Sequence, residues 1–120
     1  MKTNISILGS TGSIGLNTLK VINKKQNIFN VNLLSANKNY KLICKQIYEY
    51  KPKVFIVNDY KTFLKVKKKF INKKILILNS FHKLKLKKKS NITISSIPGL
   101  DGLLPTILMI KFSKKILIAN

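Results

Sequence analysis

The stretch Asn4-Ile5-Ser6-Ile7-Leu8-Gly9-Ser10-Thr11-Gly12-Ser13-Ile14-Gly15 decides the fold. Its first five residues form a short, largely apolar run and read as a buried strand over Asn4–Leu8. Glycines follow at 9, 12 and 15, and Leu16, Leu19, Val21 and Ile22 then give an amphipathic helix over Ser13–Lys25 with those four residues inward. A strand that turns through glycines into a helix has a particular chemical use. The helix start offers unpaired N–H groups and the positive end of its dipole, so an anion is stabilised there. Glycine at 9 and 12 removes side chains where a pyrophosphate would approach the backbone, and Gly15 lets the helix pack closely on the strand. Thr11 and Ser13 add hydroxyl donors. The spacing Gly-x-x-Gly-x-x-Gly differs from the commoner Gly-x-Gly-x-x-Gly, and its place between a buried strand and a helix is what makes it a dinucleotide signal.

Working outward, strand-like and helix-like segments alternate to the end of the chain. Strands are expected at Val31–Ser35, Val54–Val57, Ile75–Leu78, Ile92–Ser96 and Ile116–Ala119, and helices at Tyr40–Tyr50 and Tyr60–Phe70. Ile43 and Ile47 share one face of the second helix, which Pro52 stops. Phe81–Leu86 reads as a helical turn. Asp101 reads as the N-cap of a last helix over Gly102–Phe112, with Pro105 tolerated in its first turn. Strands separated by helices of this length imply right-handed crossovers and a parallel sheet covered on both faces. Their continuous Ile, Val and Leu runs suit doubly buried strands. The expected fold is α/β, a doubly wound, mostly parallel, Rossmann-like sheet, with residues 1–120 as one dinucleotide-binding domain.

Composition bounds the alternatives. At 120 residues and 45% apolar content the chain folds but is short for a complete cofactor-dependent enzyme. Its apolar runs are broken by lysines and Pro105 before reaching a membrane span, and its N-terminus lacks the apolar stretch of a secretory signal, so a cytoplasmic protein with no membrane partner is expected. The formal net charge is +21, all 24 basic residues are lysine, and Lys, Ile and Asn supply 55 of the 120 residues. That pattern reads as a compositional drift across the chain. Arginine's planar fork, suited to reading guanine or phosphate, is absent, so no specific nucleic-acid partner is expected. The runs Lys65–Lys69 and Lys83–Lys89 read as solvated faces. The alternative is a lysine-rich α/β module that binds polyanions or nucleic acid, and such binding would weaken steeply with salt. Cys44 reads as a small core side chain and His82 as a surface or core residue without a metal partner.

The second strand bears on which dinucleotide is held. An NAD site usually ends that strand with an acid that accepts from the ribose hydroxyls. Here the strand ends Leu34-Ser35-Ala36-Asn37-Lys38-Asn39, without one. A carboxylate would repel a 2′-phosphate, whereas Lys38 attracts it and Asn37 and Asn39 can donate to it. NADPH is the expected cofactor.

Four segments in order carry a wider resemblance: Ile7-Leu8-Gly9-Ser10-Thr11-Gly12-Ser13-Ile14-Gly15, then Ala36-Asn37-Lys38-Asn39, then Gly99-Leu100-Asp101-Gly102-Leu103-Leu104-Pro105-Thr106, and finally Ile118-Ala119-Asn120. In this register the chain resembles the N-terminal third of the 1-deoxy-D-xylulose 5-phosphate reductoisomerase family. The resemblance implies an oxidoreductase of non-mevalonate isoprenoid precursor synthesis. Such an enzyme rearranges a phosphorylated deoxy-ketose, 1-deoxy-D-xylulose 5-phosphate, and reduces the product with NADPH to 2-C-methyl-D-erythritol 4-phosphate. It uses a divalent metal, Mn²⁺ or Mg²⁺, and acts as a homodimer. By resemblance Thr11, Gly12, Ser13 and Ile14 hold the pyrophosphate, Asn37, Lys38 and Asn39 surround the 2′-phosphate, and Asn120 reaches the nicotinamide side. Asn37 stands where the family usually has glycine, which suits a left-handed backbone there, and Asp101 where it commonly has a small residue. In the family a Lys-Glu pair would follow Asn120, with the acidic metal ligands, the substrate phosphate site and a mobile lid later still. The acids here are Glu49, Asp59 and Asp101, scattered along the chain. The expectation is therefore half of a cofactor site, with no catalytic group and no metal ligand within these residues.

Overall fold

The computed structural model describes residues 2–119. Six strands form one sheet: β1 (Thr3–Leu8), β2 (Phe29–Ala36), β3 (Val54–Val57), β4 (Leu76–Leu78), β5 (Ser90–Ser95) and β6 (Ser113–Ile118). Their order is β4-β3-β2-β1-β5-β6, and each neighbouring pair is parallel. Helices α1 (Ser13–Lys24), α2 (Tyr40–Tyr50) and α3 (Tyr60–Lys69) link the strands on one side of β1, and α4 (Leu103–Met109) connects β5 to β6.

The alternation of side chains along the strands sends two apolar sets to opposite faces. Ile5, Ile7, Leu34 and Phe55 pack with Leu19 and Ile22 of α1, Ile43 and Ile47 of α2, and Val66 and Phe70 beyond it. Leu8, Leu33 and Ile56 pack with Phe81, Leu84 and Met109 on the other face. The sheet is thus doubly wound and wholly parallel, as the alternating segments imply. Cys44 is buried in the first core, and the lysines of both basic runs are exposed.

Several details differ from the sequence expectations. Val21 is 61% exposed, because the inward stripe of α1 runs through Gly15, Leu19 and Ile22 and position 21 falls off it. Phe81–Leu86 contains only a 3₁₀ turn at Phe81–Lys83. The last helix is interrupted: Gly99–Gly102 is a 3₁₀ turn, α4 follows, and Ile110–Phe112 is 3₁₀ again. Asp101 lies within the first of these turns, so Gly102, not Asp101, occupies the cap position. Packing explains this. A Cβ on Gly102 would lie 2.3 Å from the Ile97 carbonyl oxygen, so contact with the preceding loop sets where α4 begins. Pro105 does fall in its first turn.

The strands near β5 are not purely apolar either. β1 and β2 slip register between Ile5 and Ser6, where Asn32 is the extra residue, and its amide donates to Ser90 Oγ at 3.0 Å. Ser90 also bonds the Ser6 hydroxyl, and Thr93 pairs with Ser113 at 2.6 Å. The Ser6, Ser90, Thr93 and Ser113 hydroxyls pair across neighbouring strands and that of Ser95 with Thr106 of α4, which is how such residues are accommodated in a parallel sheet.

Candidate functional site

β1 is the switch point of the sheet. The chain leaves it through α1 toward β2, while β5, its other neighbour, arrives much later. Connections that depart in opposite directions open a crevice at the carboxyl ends of the two strands. Here the crevice is a cleft of about 440 Å³. Gly9, Thr11 and Gly12 form one wall, and Ser35, Ala36 and Asn37 at the end of β2 form another. Asn58, which follows β3, and Ser96, Ile97, Pro98 and Asp101 beyond β5 complete it.

The glycine loop is fastened from both sides. Gly9 has φ +82°, a conformation that favours glycine. Its N–H lies 3.1 Å from both the carbonyl and the hydroxyl oxygens of Ser35. Ser10 is buried: its N–H donates to Ser35 O at 2.8 Å, and its hydroxyl donates to Gln46 Oε1 at 2.7 Å. The Gln46 amide returns a bond to Ser10 O at 3.0 Å. Across the loop, Ser96 donates its hydroxyl to Leu8 O at 2.7 Å. Buried, mutually satisfied polar groups of this kind hold a backbone in one shape.

What the loop presents is the start of α1. The first bond of its helical ladder runs from Leu16 N–H to Gly12 O at 2.8 Å, and no side chain caps the helix. The N–H groups of the first turn are therefore left to an outside acceptor. The other two long helices close their own ends. Asn39 Oδ1 accepts from Leu42 N–H at 3.2 Å at the start of α2, and Asp59 accepts from both Thr62 N–H and the Thr62 hydroxyl, at 3.1 and 2.7 Å, at the start of α3. The two glycines of the first turn differ in kind. A Cβ on Gly15 would fall 2.3 Å from Gly9 O and 2.8 Å from Ser10 Cα, so the packing of helix on loop excludes it. A Cβ on Gly12 would meet only Gly9 O at 3.7 Å, so nothing in the chain itself demands glycine there.

The structure gathers Gly9, Thr11, Gly12 and Asn37 around the cleft. Ser13 is exposed in the first turn of α1, Ile14 is half-buried beside it, and Gly15 is buried. Asn37, Lys38 and Asn39 form an exposed rim after β2, but Asn37 is not in the left-handed region that its place in the family suggested. Asn39 spends its carbonyl oxygen on α2 and keeps its amide N–H groups as donors. Asp59 is held below the usual aspartate range, first by its bonds from Thr62 and then by Lys38 and Lys61 nearby, so a carboxylate stands close to the Lys38 rim. Asn120 lies outside the described residues.

The sequence reading did not assign Ser35, Gln46, Asn58 or Ser96 to this site. Asn58 and Ser96 each follow a strand, and that position is the signal that would have found them, since parallel strands bring their carboxyl ends to one edge of the sheet. Among the described residues no three His, Cys, Asp or Glu side chains come together as a metal site. No helix there is long and apolar enough to cross a membrane.

Comparison with known proteins places these features in context. The family model for 1-deoxy-D-xylulose 5-phosphate reductoisomerase matches residues 5–120. The reductoisomerase of Pelagibacter ubique is 43% identical over 120 residues, covering 97% of this chain and 31% of its own length. That of Clostridium novyi is 41% identical over 122 residues, covering 98% and 32%. The chain thus spans under a third of the length of these curated relatives. The solved reductoisomerase of Zymomonas mobilis in complex with NADPH superposes with a TM-score of 0.88 at 24% identity, over all of this chain and 32% of that one. A reductoisomerase in complex with NADPH, fosmidomycin and magnesium superposes at 0.87 and 23% identity, over 98% and 30%. At these identities the superpositions show a shared fold.

Proposed function

Because this chain belongs to the 1-deoxy-D-xylulose 5-phosphate reductoisomerase family, we propose that residues 1–120 form its NADPH-holding domain. The observation that carries the reading is the uncapped start of α1, opening onto the switch-point cleft beside a Gly12 that the chain's own packing does not require. The pyrophosphate accepts from the first-turn N–H groups next to Gly12, Ser13 and Ile14, with the Thr11 hydroxyl beside it. Its charge meets the positive end of the helix dipole. Gly9 and Gly12 keep that wall free of side chains. The adenosine 2′-phosphate lies at the rim of Asn37, Lys38 and Asn39, where Lys38 supplies charge and the asparagine amides supply donors. Asn120, outside the described residues, is assigned to the nicotinamide side of the cofactor by its place in the family's sequence alone.

When bound, NADPH supplies the hydride that reduces the rearranged ketose phosphate. The residues here bind and orient that cofactor. The divalent metal of the family finds no ligand set among the described residues, so its chemistry belongs to the remaining length of the relatives. In the complete enzyme the reading is of a cytoplasmic homodimer acting on 1-deoxy-D-xylulose 5-phosphate.

NADPH fluorescence tests the reading, since the chain has no tryptophan to interfere. The expected result is saturable binding of NADPH, weaker binding of NADH, and a narrower gap between the two in Lys38→Ala. Equal affinity for NADH, or no binding of either cofactor, would overturn it.

A further inference from the structure

A second cleft, of about 250 Å³, opens where α2 and α3 finish. Pro52 and Ile75 in its lining precede β3 and β4, so it lies at the amino ends of those strands. The cofactor cleft lies at the carboxyl ends, and the two share no lining residue. The floor of the second cleft is apolar. Ile47 and Phe70 are buried members of the first core, and Ile75 packs against that core. Tyr48, 57% exposed, forms a wall, its ring 5.2 Å from that of Phe70 and tilted by 59°. Such a concave, partly aromatic surface suits a flat or short apolar group.

The mouth is charged. Lys51, Lys73 and Lys74 are exposed around it, and none of the chain's three acids lines it. α2 and α3 both end here, and each helix end brings about half a negative charge. Balancing those two ends accounts for one lysine, so the mouth remains positive above an open apolar floor. The backbone of the mouth is fixed before any ligand arrives. Lys51 N–H donates to Ile47 O at 3.1 Å, Lys73 N–H to Phe70 O at 3.0 Å, and Leu76 N–H to Lys53 O at 3.0 Å. Lys51 has φ +47°, alone among the described non-glycine residues in being left-handed. Glycine or asparagine usually takes that place after a helix, and lysine holds it here at a conformational cost.

We propose that this cleft binds a small amphipathic anion, a phosphate monoester carrying a short apolar chain or a single ring. The apolar body covers Ile47, Phe70 and Tyr48, and the phosphate meets the ammonium groups of Lys51, Lys73 and Lys74. The volume falls below the roughly 300–1,000 Å³ of pockets for larger ligands, which limits the body to that size. Phosphate alone leaves the floor wet, and a neutral apolar molecule leaves the lysines without a partner, so the pairing of the two parts sets the preference. The proposal does not rest on the NADPH reading. Because the clefts are separate, cofactor and anion bind together.

The test follows the backbone amide shifts of the 120-residue chain by NMR while phenyl phosphate is added at physiological ionic strength. Saturable shifts centred on Tyr48, Lys51, Phe70 and Lys73 are expected. Phenyl phosphate is expected to bind at least about tenfold more tightly than inorganic phosphate or phenol, since each of those meets only half of the cleft. Lys51→Asn combined with Lys73→Gln weakens it about tenfold, and asparagine keeps the left-handed turn so that the fold is retained. Lys85→Gln combined with Lys88→Gln removes the same charge from exposed positions elsewhere and leaves the affinity unchanged. Saturating NADPH does not displace the ligand. Inorganic phosphate binding as tightly, equal weakening by the two double variants, or shifts centred on the glycine loop would overturn the proposal. NADPH binding is read in a separate titration, so its failure and the failure of this site are distinct results.

Discussion

The starts of α1 and α3 use the same two positions in opposite ways. At its N-cap and three residues on, α3 has Asp59 and Thr62, which close three hydrogen-bonding groups on one another. At the same positions α1 has Gly12 and Gly15 and closes nothing. α3 is complete within this chain; α1 is complete only with an outside anion. The difference teaches that a helix end can be finished by its own residues or left as a binding element, and that a pair of side chains decides which.

The comparison breaks most severely at Gly15. Gly15→Ala drives a methyl into Gly9 O and Ser10, and the helix must lift from the loop. It is expected to cost about 3 kcal/mol or more and to lower the thermal midpoint sharply. Unchanged unfolding would show that the loop yields easily. Next in size is Gln46→Leu, which strips the buried Ser10 carbonyl of its side-chain donor and leaves the Ser10 hydroxyl only its longer 3.2 Å bond to Ser35 O. A loss of about 1–3 kcal/mol in urea unfolding is expected, with weaker cofactor binding because the loop loses its brace.

Asp59→Ala tests the opposite end of the comparison, and its smaller effect depends on pH. The folded-state carboxyl titrates below the unfolded one, so its stabilisation is present in full above the ordinary value of 3.8 and disappears as pH falls through the folded-state value. The variant is expected to unfold at lower temperature than the parent at neutral pH, and the two are expected to converge in acid. A gap that persists in acid would assign the effect to something other than the charged cap. NADPH affinity should rise modestly, since the removed carboxylate stands close to the Lys38 rim while α3 holds no part of the pyrophosphate.

These contrasts also explain what could be read from the chain beforehand. The glycine loop, the alternation of elements and the burial of Cys44 follow from local spacing, and local spacing is visible. Asn58, Ser96 and Gln46 are separated from the loop by long stretches of chain; the first two reach its cleft because parallel strands end on one edge, and Gln46 because α2 packs beside Ser10. Asp101 looked like a cap because an acid before an apolar run usually is one; the close contact of Gly102 with Ile97, invisible in sequence, moved the helix start. Val21 is apolar but faces solvent, because the angle around the helix and not apolarity decides which residues turn inward. The buried hydroxyls of Ser90, Thr93 and Ser95 find their partners on β1, β6 and α4, pairings that no single strand reveals.

The smallest effect on stability belongs to the change that matters most for function. Gly12→Asp gives α1 the cap that α3 already has, at an extended position (φ −79°, ψ 173°) where a Cβ makes only an ordinary 3.7 Å contact with Gly9 O. Its stability should rise by a few tenths of a kcal/mol at most. NADPH titration of this variant beside the parent is the direct test of the central claim. The account predicts a folded protein whose NADPH affinity falls at least about tenfold, because a fixed carboxylate now occupies the place of the pyrophosphate. An affinity equal to the parent's would contradict it.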